Sequence, residues 1–412
     1  MTALPQAGVA APTIRTRSEP DGGGVPFAAA RLTPEALAGA ERVLRSGWLT
    51  TGPEVAAFEA EFAMLVGTKH AVAVASCTSG LELALRALDL PSGAPVLLSA
   101  LTFVGALHAV VHSGLVPVLV DVDPVTVMPT AETTTAAARG CGGAAAMIVV
   151  HLYGDAAPVP ALAEAAGLPL DAVVEDAAHA LGTTVGGRPV GGLSRASAFS
   201  FYATKNLPIG EGGMVSTDDA GLAGTLRRTR LHGMSQDAWR RYLPGGSWRY
   251  DVEEAGLKAN LTDLQAAIGR AQLQSLSGWQ ARRAEIAARY DAALGGLAGV
   301  GLPHRPSPAD GVHAWHLYPI RVSGGMRDHV QAQLASREIS TSVHFIPVHR
   351  FRWFRESSTF PDGGLHGADR LFDELLSLPM YPRLRDDQID ATCDAVTEAI
   401  RTAHRGEPCP SL

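Results

Sequence analysis

The stretch VVEDAAHALGTTVGGRPVGGLSRASAFSFYATKNLPIGEGG, residues 173–213, sets a carboxylate (Asp176), an imidazole (His179), a hydroxyl (Ser200) and an amine (Lys205) beside strand-like runs. Four such groups at one end of a sheet could hold a planar aromatic ligand covalently; alone they could equally be surface. Strand alternation sends Glu175 and Asp176 to opposite faces. Upstream, residues 71–75, 96–100, 115–122, 147–154 and 170–176 read as strands, with helical stretches reaching about Asp89 and Ser113 between them. Strands spaced by such helices predict a mainly parallel central sheet with crossover helices, an α/β fold. The shorter runs and turns after Asp176 predict hairpin or antiparallel pieces.

Working outward, residues 1–24 lack periodicity and read as a loose tail. Thr33 followed by Pro34 opens a helix, and after the turn-rich Gly47–Pro53 a second helix runs to Val66. Thr262 and Gln265 fit a capping box that starts a long helix joining two domains. The expected division is a large domain, 25–262, and a smaller C-terminal α+β domain, 263–412. The second is expected to run strand 316–322, helix, strand 340–349, an irregular segment 350–366 and a helix from Asp386.

A chain of 412 residues usually divides into two domains or one domain with a satellite. With 46% hydrophobic and 18% charged residues it has ordinary globular composition, and no apolar run reaches the roughly 18 residues of a membrane helix. A net charge of -7 gives no basic footprint, which argues against nucleic acid or an anionic membrane as partner. Cys77, Cys141, Cys393 and Cys409 lack metal-ligand spacing, and the N-terminus has no basic-then-apolar leader. A reduced, cytoplasmic protein without a metal is expected.

The candidate chemistry is spread over the chain. In SCTSG, Ser76–Gly80, Ser79 with Glu82 fits a helix cap, and the strand-to-helix turn leaves amide N–H groups free for a phosphate. A merely capped helix is the alternative. Phe103 follows a strand of the same sheet, where it could stack on a planar ring or lie in the core. Asp176 could hold a pyridine nitrogen protonated, or cap a helix. His179 could meet a ring hydroxyl, or be an ordinary buried histidine. Lys205 could form a Schiff base if burial lowers its pKa, or lie solvated at the surface. The glycines of GEGG, 210–213, serve a close backbone approach or a tight turn. Taken together, these are the parts that a pyridoxal phosphate enzyme needs.

The same residues resemble the DegT/StrS sugar aminotransferases, fold-type-I pyridoxal 5'-phosphate (PLP) enzymes that aminate keto sugars carried on nucleotides. The likeness runs from GWLTTGPEVAAFEAEF through SCTSGLELAL, VVEDAAHALG, FSFYATKNLPIGEGG and GLKANLTDLQAAIGRAQL to TSVHFIPVH and LLSLPMYPRL. It implies that Lys205 carries the cofactor as a Schiff base and shuttles the proton, and that Asp176 pairs with the ring nitrogen. It places His179, where many members have glutamine, on the ring hydroxyl, Phe103 on the ring face, and Thr78, Ser79 and Ser200 on the phosphate. It implies a homodimer in which the loop with Lys258 and Asn260 reaches the partner's phosphate; GLKANL departs here from the commoner Gly-Tyr-Asn-Tyr-Arg-Met. His316, His344 and His349 fall where the small domain should face the sugar nucleotide. L-glutamate as donor, pyridoxamine phosphate (PMP) as intermediate and an amino sugar nucleotide as product follow from the resemblance. A keto-cyclitol acceptor, a PMP-dependent dehydratase and a non-catalytic regulatory homologue are the alternatives.

Overall fold

The computed structural model describes residues 24–235, 249–307, 310–361 and 363–405. Most of the expected tail, Cys409 and most of the loop at 236–254 lie outside the described residues.

Helix α1 (Pro34–Ser46) starts at Thr33, whose hydroxyl accepts from the amide of Ala36, and α2 (Pro53–Val66) follows. Then come β1 (His70–Val74), α3 (Cys77–Arg86), β2 (Pro95–Ser99), α4 (Val104–His112), β3 (Val116–Val120) and α5 (Ala131–Gly140). The series continues through β4 (Ala146–Val150), α6 (Val159–Ala166), β5 (Val173–Asp176), the hairpin β6 (Thr184–Val185) and β7 (Arg188–Pro189), β8 (Ala196–Ser200), β9 (Gly213–Thr217) and α7 (Ala220–Thr229). Seven strands form one sheet in the order β1-β9-β8-β5-β4-β2-β3. The pairs from β8 to β3 are parallel, and β9 runs antiparallel to both β8 and β1. Helices cover both faces, which is why the strands read as continuous apolar runs. Val96 and Leu98 enter one core while Leu97 between them enters the other, with Met147, Val149 and Val173. A third cluster packs Phe58 and Phe62 of α2 against Phe199 and Phe201.

Several expected elements take another form. HLYG does not extend β4; residues 152–154 make a 3-10 turn in which Tyr153 has φ 61. The single long helix is two, α8 (Asp263–Leu273), opened by the Thr262 and Gln265 capping box, and α9 (Leu276–Leu294). The break lets them face different partners: α8 lies against α1 and α2, whereas Ile286, Tyr290 and Leu294 of α9 enter a separate core. That core is built on β10 (Val300–Gly301), β12 (Tyr318–Val322) and β13 (Leu375–Leu378), after a short β11 (Gly311–Val312) that pairs with β6. It is completed by α10 (Arg327–Ser336) and α13 (Asp386–His404).

Residues 340–349 are not a strand. Their backbone is divided between neighbours: Ser342 bridges to Ser377 of β13, and Val348 N–H donates to the carbonyl of Ala100 beyond β2. A segment tied to two separate sheets cannot keep one ladder register. The segment expected to be irregular contains α11 (Arg352–Ser357), and α12 (His366–Glu374) follows; Phe354, Ala368 and Leu371 pack back into the large sheet's core. No helix among the described residues is long and apolar enough to cross a membrane.

Candidate active site

In parallel sheets ligands sit beyond the carboxyl ends of the strands. Here the ends of β1, β2, β4, β5 and β8, with residues 344–345 from the far side, enclose a cavity of about 490 Å3 lined by Thr78, Phe103, Asp176, His179, Ser200 and Lys205. His316 and His344 line it too, whereas Lys258, Asn260, Ser79 and His349 do not.

Asp176 is buried, and its two oxygens differ. Oδ1 accepts from the amide of Ala178 at 3.0 Å and lies 3.7 Å from the Cys77 Sγ. Oδ2 has no protein partner among the described residues, although the residue is only 7% exposed. Burial raises the carboxyl's pKa, opposed by the Ala178 amide and by Lys205. One residue back, Glu175 faces the other way and is saturated: it accepts from His151 Nε2 (2.8 Å), the amide of Leu193 (3.2 Å) and the hydroxyls of Ser194 and Ser197 (both 2.9 Å). Two adjacent carboxylates thus have opposite duties.

Lys205 follows β8 in a turn, its amine enclosed by the cavity wall. Burial brings that amine down to about 8, against the pull of Asp176. His179 accepts the amide hydrogen of Tyr153 on Nδ1 at 3.1 Å, so its proton sits on Nε2. Burial and the nearby Lys205 hold this ring neutral, well below the usual histidine range. It packs against His316 at 4.4 Å between ring centroids and against Phe345 at 5.9 Å. Phe103 is 59% exposed and not in the core; its ring lies 5.9 Å from that of Phe345.

The anion cup has a different cap from the one expected. Ser76, in extended conformation, is the N-cap of α3: its hydroxyl accepts from the Ser79 amide, and the Ser79 hydroxyl accepts from the Ser76 amide, both at 3.1 Å. Glu82 instead forms an ion pair with Arg86 at 2.6 Å. With Ser79 engaged in this box, Thr78 and the start of the helix face the cavity, opposite Ser200. Gly213 of β9 makes room for that turn, since a Cβ there would lie 2.6 Å from the Ser76 carbonyl carbon and 2.7 Å from the Cys77 nitrogen. Gly210, with φ 98 and open space around it, serves the turn, so the glycine cluster does both things expected of it.

Lys258 is exposed and contacts Asn260, whose side-chain amide donates to Thr51 at 2.8 Å. His349 lies within 3.0 Å of Asp369, away from the cavity. Sequence reasoning missed Phe345, Tyr153 and Cys77. The cysteine was considered only as a metal ligand, and Phe345 lay in a supposed strand. Tyr153 lay within the strand expected over residues 147–154, so its place in the turn beyond β4 was hidden.

These residues fit PLP. One oxygen of Asp176 is left for a ring nitrogen, a hydrogen on His179 Nε2 for a ring hydroxyl, and a helix start with Thr78 and Ser200 for a phosphate; an amine of lowered pKa completes the set. The comparisons agree. Residues 31–397 match the profile of the DegT/DnrJ/EryC1/StrS aminotransferase family. The chain belongs to this family. It is 41% identical over 384 residues to the spore coat polysaccharide biosynthesis protein SpsC of Bacillus subtilis (strain 168), covering 92% of this chain and 98% of that protein. Among solved structures, S. venezuelae DesV in complex with a ketimine intermediate superposes with a TM-score of 0.81 at 35% identity, over 92% of this chain and 98% of that one. A protein of Streptococcus pneumoniae in its PMP form superposes with a TM-score of 0.84 at 26% identity, over 92% and 99%, and the same protein has been solved in a PLP form. The fold is that of the fold-type-I PLP aminotransferases, and this protein is a PLP-dependent aminotransferase.

Proposed function

We propose that the enzyme transfers an amino group from L-glutamate to the keto group of a nucleotide-linked sugar, through PLP and PMP, giving an amino sugar nucleotide. The observation that carries the reading is the meeting of the Lys205 amine and the free oxygen of Asp176 in one cavity. The relatives named for polysaccharide biosynthesis and for sugar amination support the substrate class.

When bound, PLP supplies a carbonyl that takes the amino group and a conjugated ring that delocalises the electron pair left by proton removal. The chain does the rest. Asp176 accepts from the ring nitrogen and keeps it protonated; His179 Nε2–H donates to the ring hydroxyl; Phe103 covers one ring face. Thr78 and Ser200 bind the phosphate, with Ser79 holding the α3 turn by its capping box. Lys205, its pKa brought down to about 8 by burial, would take the proton from the donor's carbon and deliver it to the carbon that the cofactor presents, and in the second half-reaction would recover one there for the sugar carbon. His344 and His316 bound the space beside the reacting centre. A homodimer in which the partner's loop with Lys258 and Asn260 reaches the phosphate is part of the same proposal; in their own chain these residues lie outside the cavity.

The test loads the enzyme with PMP and follows its return to the PLP absorbance against a panel of nucleotide keto sugars and keto cyclitols. Reoxidation by a nucleotide keto sugar is expected. Reoxidation by cyclitols alone, or by no ketone, overturns the substrate reading.

A further inference from the structure

We propose that Nε2 of His316 is the hydrogen-bond acceptor that the Lys205 amine takes up in the PMP-loaded enzyme, making His316 a positioning residue for proton transfer. The inference rests on Lys205 being the reacting amine.

The hydrogen-bond network assigns the tautomer. The Asn206 side-chain amide donates to the carbonyl of Ala314 at 2.9 Å, which turns the Asn206 Oδ1 toward His316 Nδ1, 3.1 Å away. An oxygen there can only accept, so Nδ1 carries the hydrogen and Nε2 a bare lone pair. His316 is 5% exposed, its Nε2 has no protein partner among the described residues, and its ring lines the cavity that contains Lys205. That nitrogen opens onto the cavity and takes no hydrogen bond from Lys205 in the cofactor-free protein, so an amine released inside the cavity finds an unused acceptor there.

The ring is also fixed. Arg283 Nη1 donates to the carbonyls of Trp315 (2.9 Å), His316 (3.3 Å) and Met380 (3.0 Å), clamping the backbone, while the face of the imidazole lies on His179. Burial, His179 and Lys205 hold His316 neutral, well below the ordinary range. The other groups around the amine are Asp176, Cys77, His179 and His344. Asp176 is committed to the ring nitrogen, and the outward nitrogen of His179 already bears a hydrogen. Cys77 is a buried thiol directed at the carbonyl of Ala198 (3.4 Å) and at Asp176. His344 is half-buried, with Nδ1 3.0 Å from the Ser377 hydroxyl.

In the proton step the donor's C–H bond breaks, its electron pair stays on the carbon side, and Lys205 becomes an ammonium. His316 accepts a hydrogen bond from that ammonium without taking the proton, so the hydrogen would stay on Nζ until the amine delivers it to the carbon that the cofactor presents, and in the second half-reaction the same amine would recover a proton there for the acceptor carbon.

The test reads the amine directly. PMP-loaded enzyme is labelled with trace acetic anhydride across pH, and labelling at Lys205 is followed by mass spectrometry against Lys69 and Lys258, the chain's other two lysines. Removing an acceptor destabilises the ammonium, so in His316→Phe the midpoint is expected to fall by about one pH unit. With it, kcat should fall about tenfold or more while KM for the amino donor stays within about threefold. His316→Gln, which can offer an oxygen at the Nε2 position, should restore the midpoint; His316→Asn keeps the donor toward Asn206 but lacks the acceptor and should resemble Phe. A wild-type midpoint in either folded variant lacking the acceptor, or a Gln variant shifted as far as Phe, overturns the proposal. Borohydride trapping of PLP in the wild-type enzyme is done first: failure to find the adduct on Lys205 refutes the reading of Lys205, whereas an adduct with an unmoved midpoint refutes His316 alone.

Discussion

Replacing Asp176 by asparagine separates its chemistry from its packing. The side chain keeps its shape, and the Oδ1 that accepts from the Ala178 amide at 3.0 Å is reproduced by the asparagine carbonyl. What changes is the second position, where an oxygen facing the cavity becomes an N–H2 group. That group cannot accept from a protonated ring nitrogen, so a hydrogen bond between charged partners is lost. Such bonds contribute about 1.5–3 kcal/mol. If the loss falls on the reacting state, the donor half-reaction slows by about 10-fold to about 150-fold. Stability should change little: burial already raises the pKa of Asp176 and disfavours its charge, and the variant carries none. Stopped-flow absorbance of the PLP-loaded enzyme mixed with L-glutamate gives the rate at saturation, and thermal melting of the cofactor-free chain gives the stability. A saturated rate within about twofold of wild type, or a loss expressed only in KM, would refute the assignment of Asp176 to the ring nitrogen.

Two further outcomes follow from the same geometry. In the cofactor-free chain Lys205 titrates at about 8 when folded and near its ordinary 10.5 when unfolded, so between those pH values the unfolded chain binds more protons and stability rises with pH. The gain is about 3 kcal/mol; denaturant melts across that range should show it, and an equal rise in a Lys205→Met chain would show that the lysine is not its source. Gly213→Ala would drive a methyl group into the backbone of Ser76 and Cys77, lowering stability by about 1–3 kcal/mol; displacing the α3 turn should weaken PLP binding about tenfold, as fluorescence titration would report.

How much of this was legible in the sequence depends on the range of the interaction. The parallel sheet was readable because Val96 to Leu98 or Met147 to Val149 carry apolar side chains to both faces, which only a doubly covered strand permits. Asp176 was readable because alternation at a strand end is local, and the capping box at Thr262 for the same reason. The cap at Ser76 was misplaced by three residues because its partner, Ser79, looked like the cap itself. Residues 340–349 had the composition of a strand, but their backbone partners, Ala100 and Ser377, come from two different sheets. The stacking of His316 on His179 joins residues far apart in the chain, and no spacing rule connects them.

Three polar residues of the cavity wall, Asp176, His179 and His316, share one property that separates them from their satisfied neighbours. Glu175 has a donor for nearly every lone pair, and in the Ser76 and Ser79 box each residue completes the other. Asp176, His179 and His316 are each satisfied on one side only: Oδ1 by Ala178, Nδ1 by Tyr153, Nδ1 by Asn206. In each case the protein bond fixes the rotamer and, for the imidazoles, the tautomer, and thereby determines what the remaining atom offers. Asp176 and His316 offer acceptors, His179 a hydrogen. These three atoms open onto a cavity of about 490 Å3 rather than into the packed interior, so water can reach them in the cofactor-free protein. A bound cofactor would exchange that water for complementary atoms, which makes affinity and orientation consequences of the same unfilled bonds. The half-satisfied side chain, rather than the residue type, is what distinguishes the carboxylate at 176, proposed to hold the ring nitrogen, from the saturated one at 175.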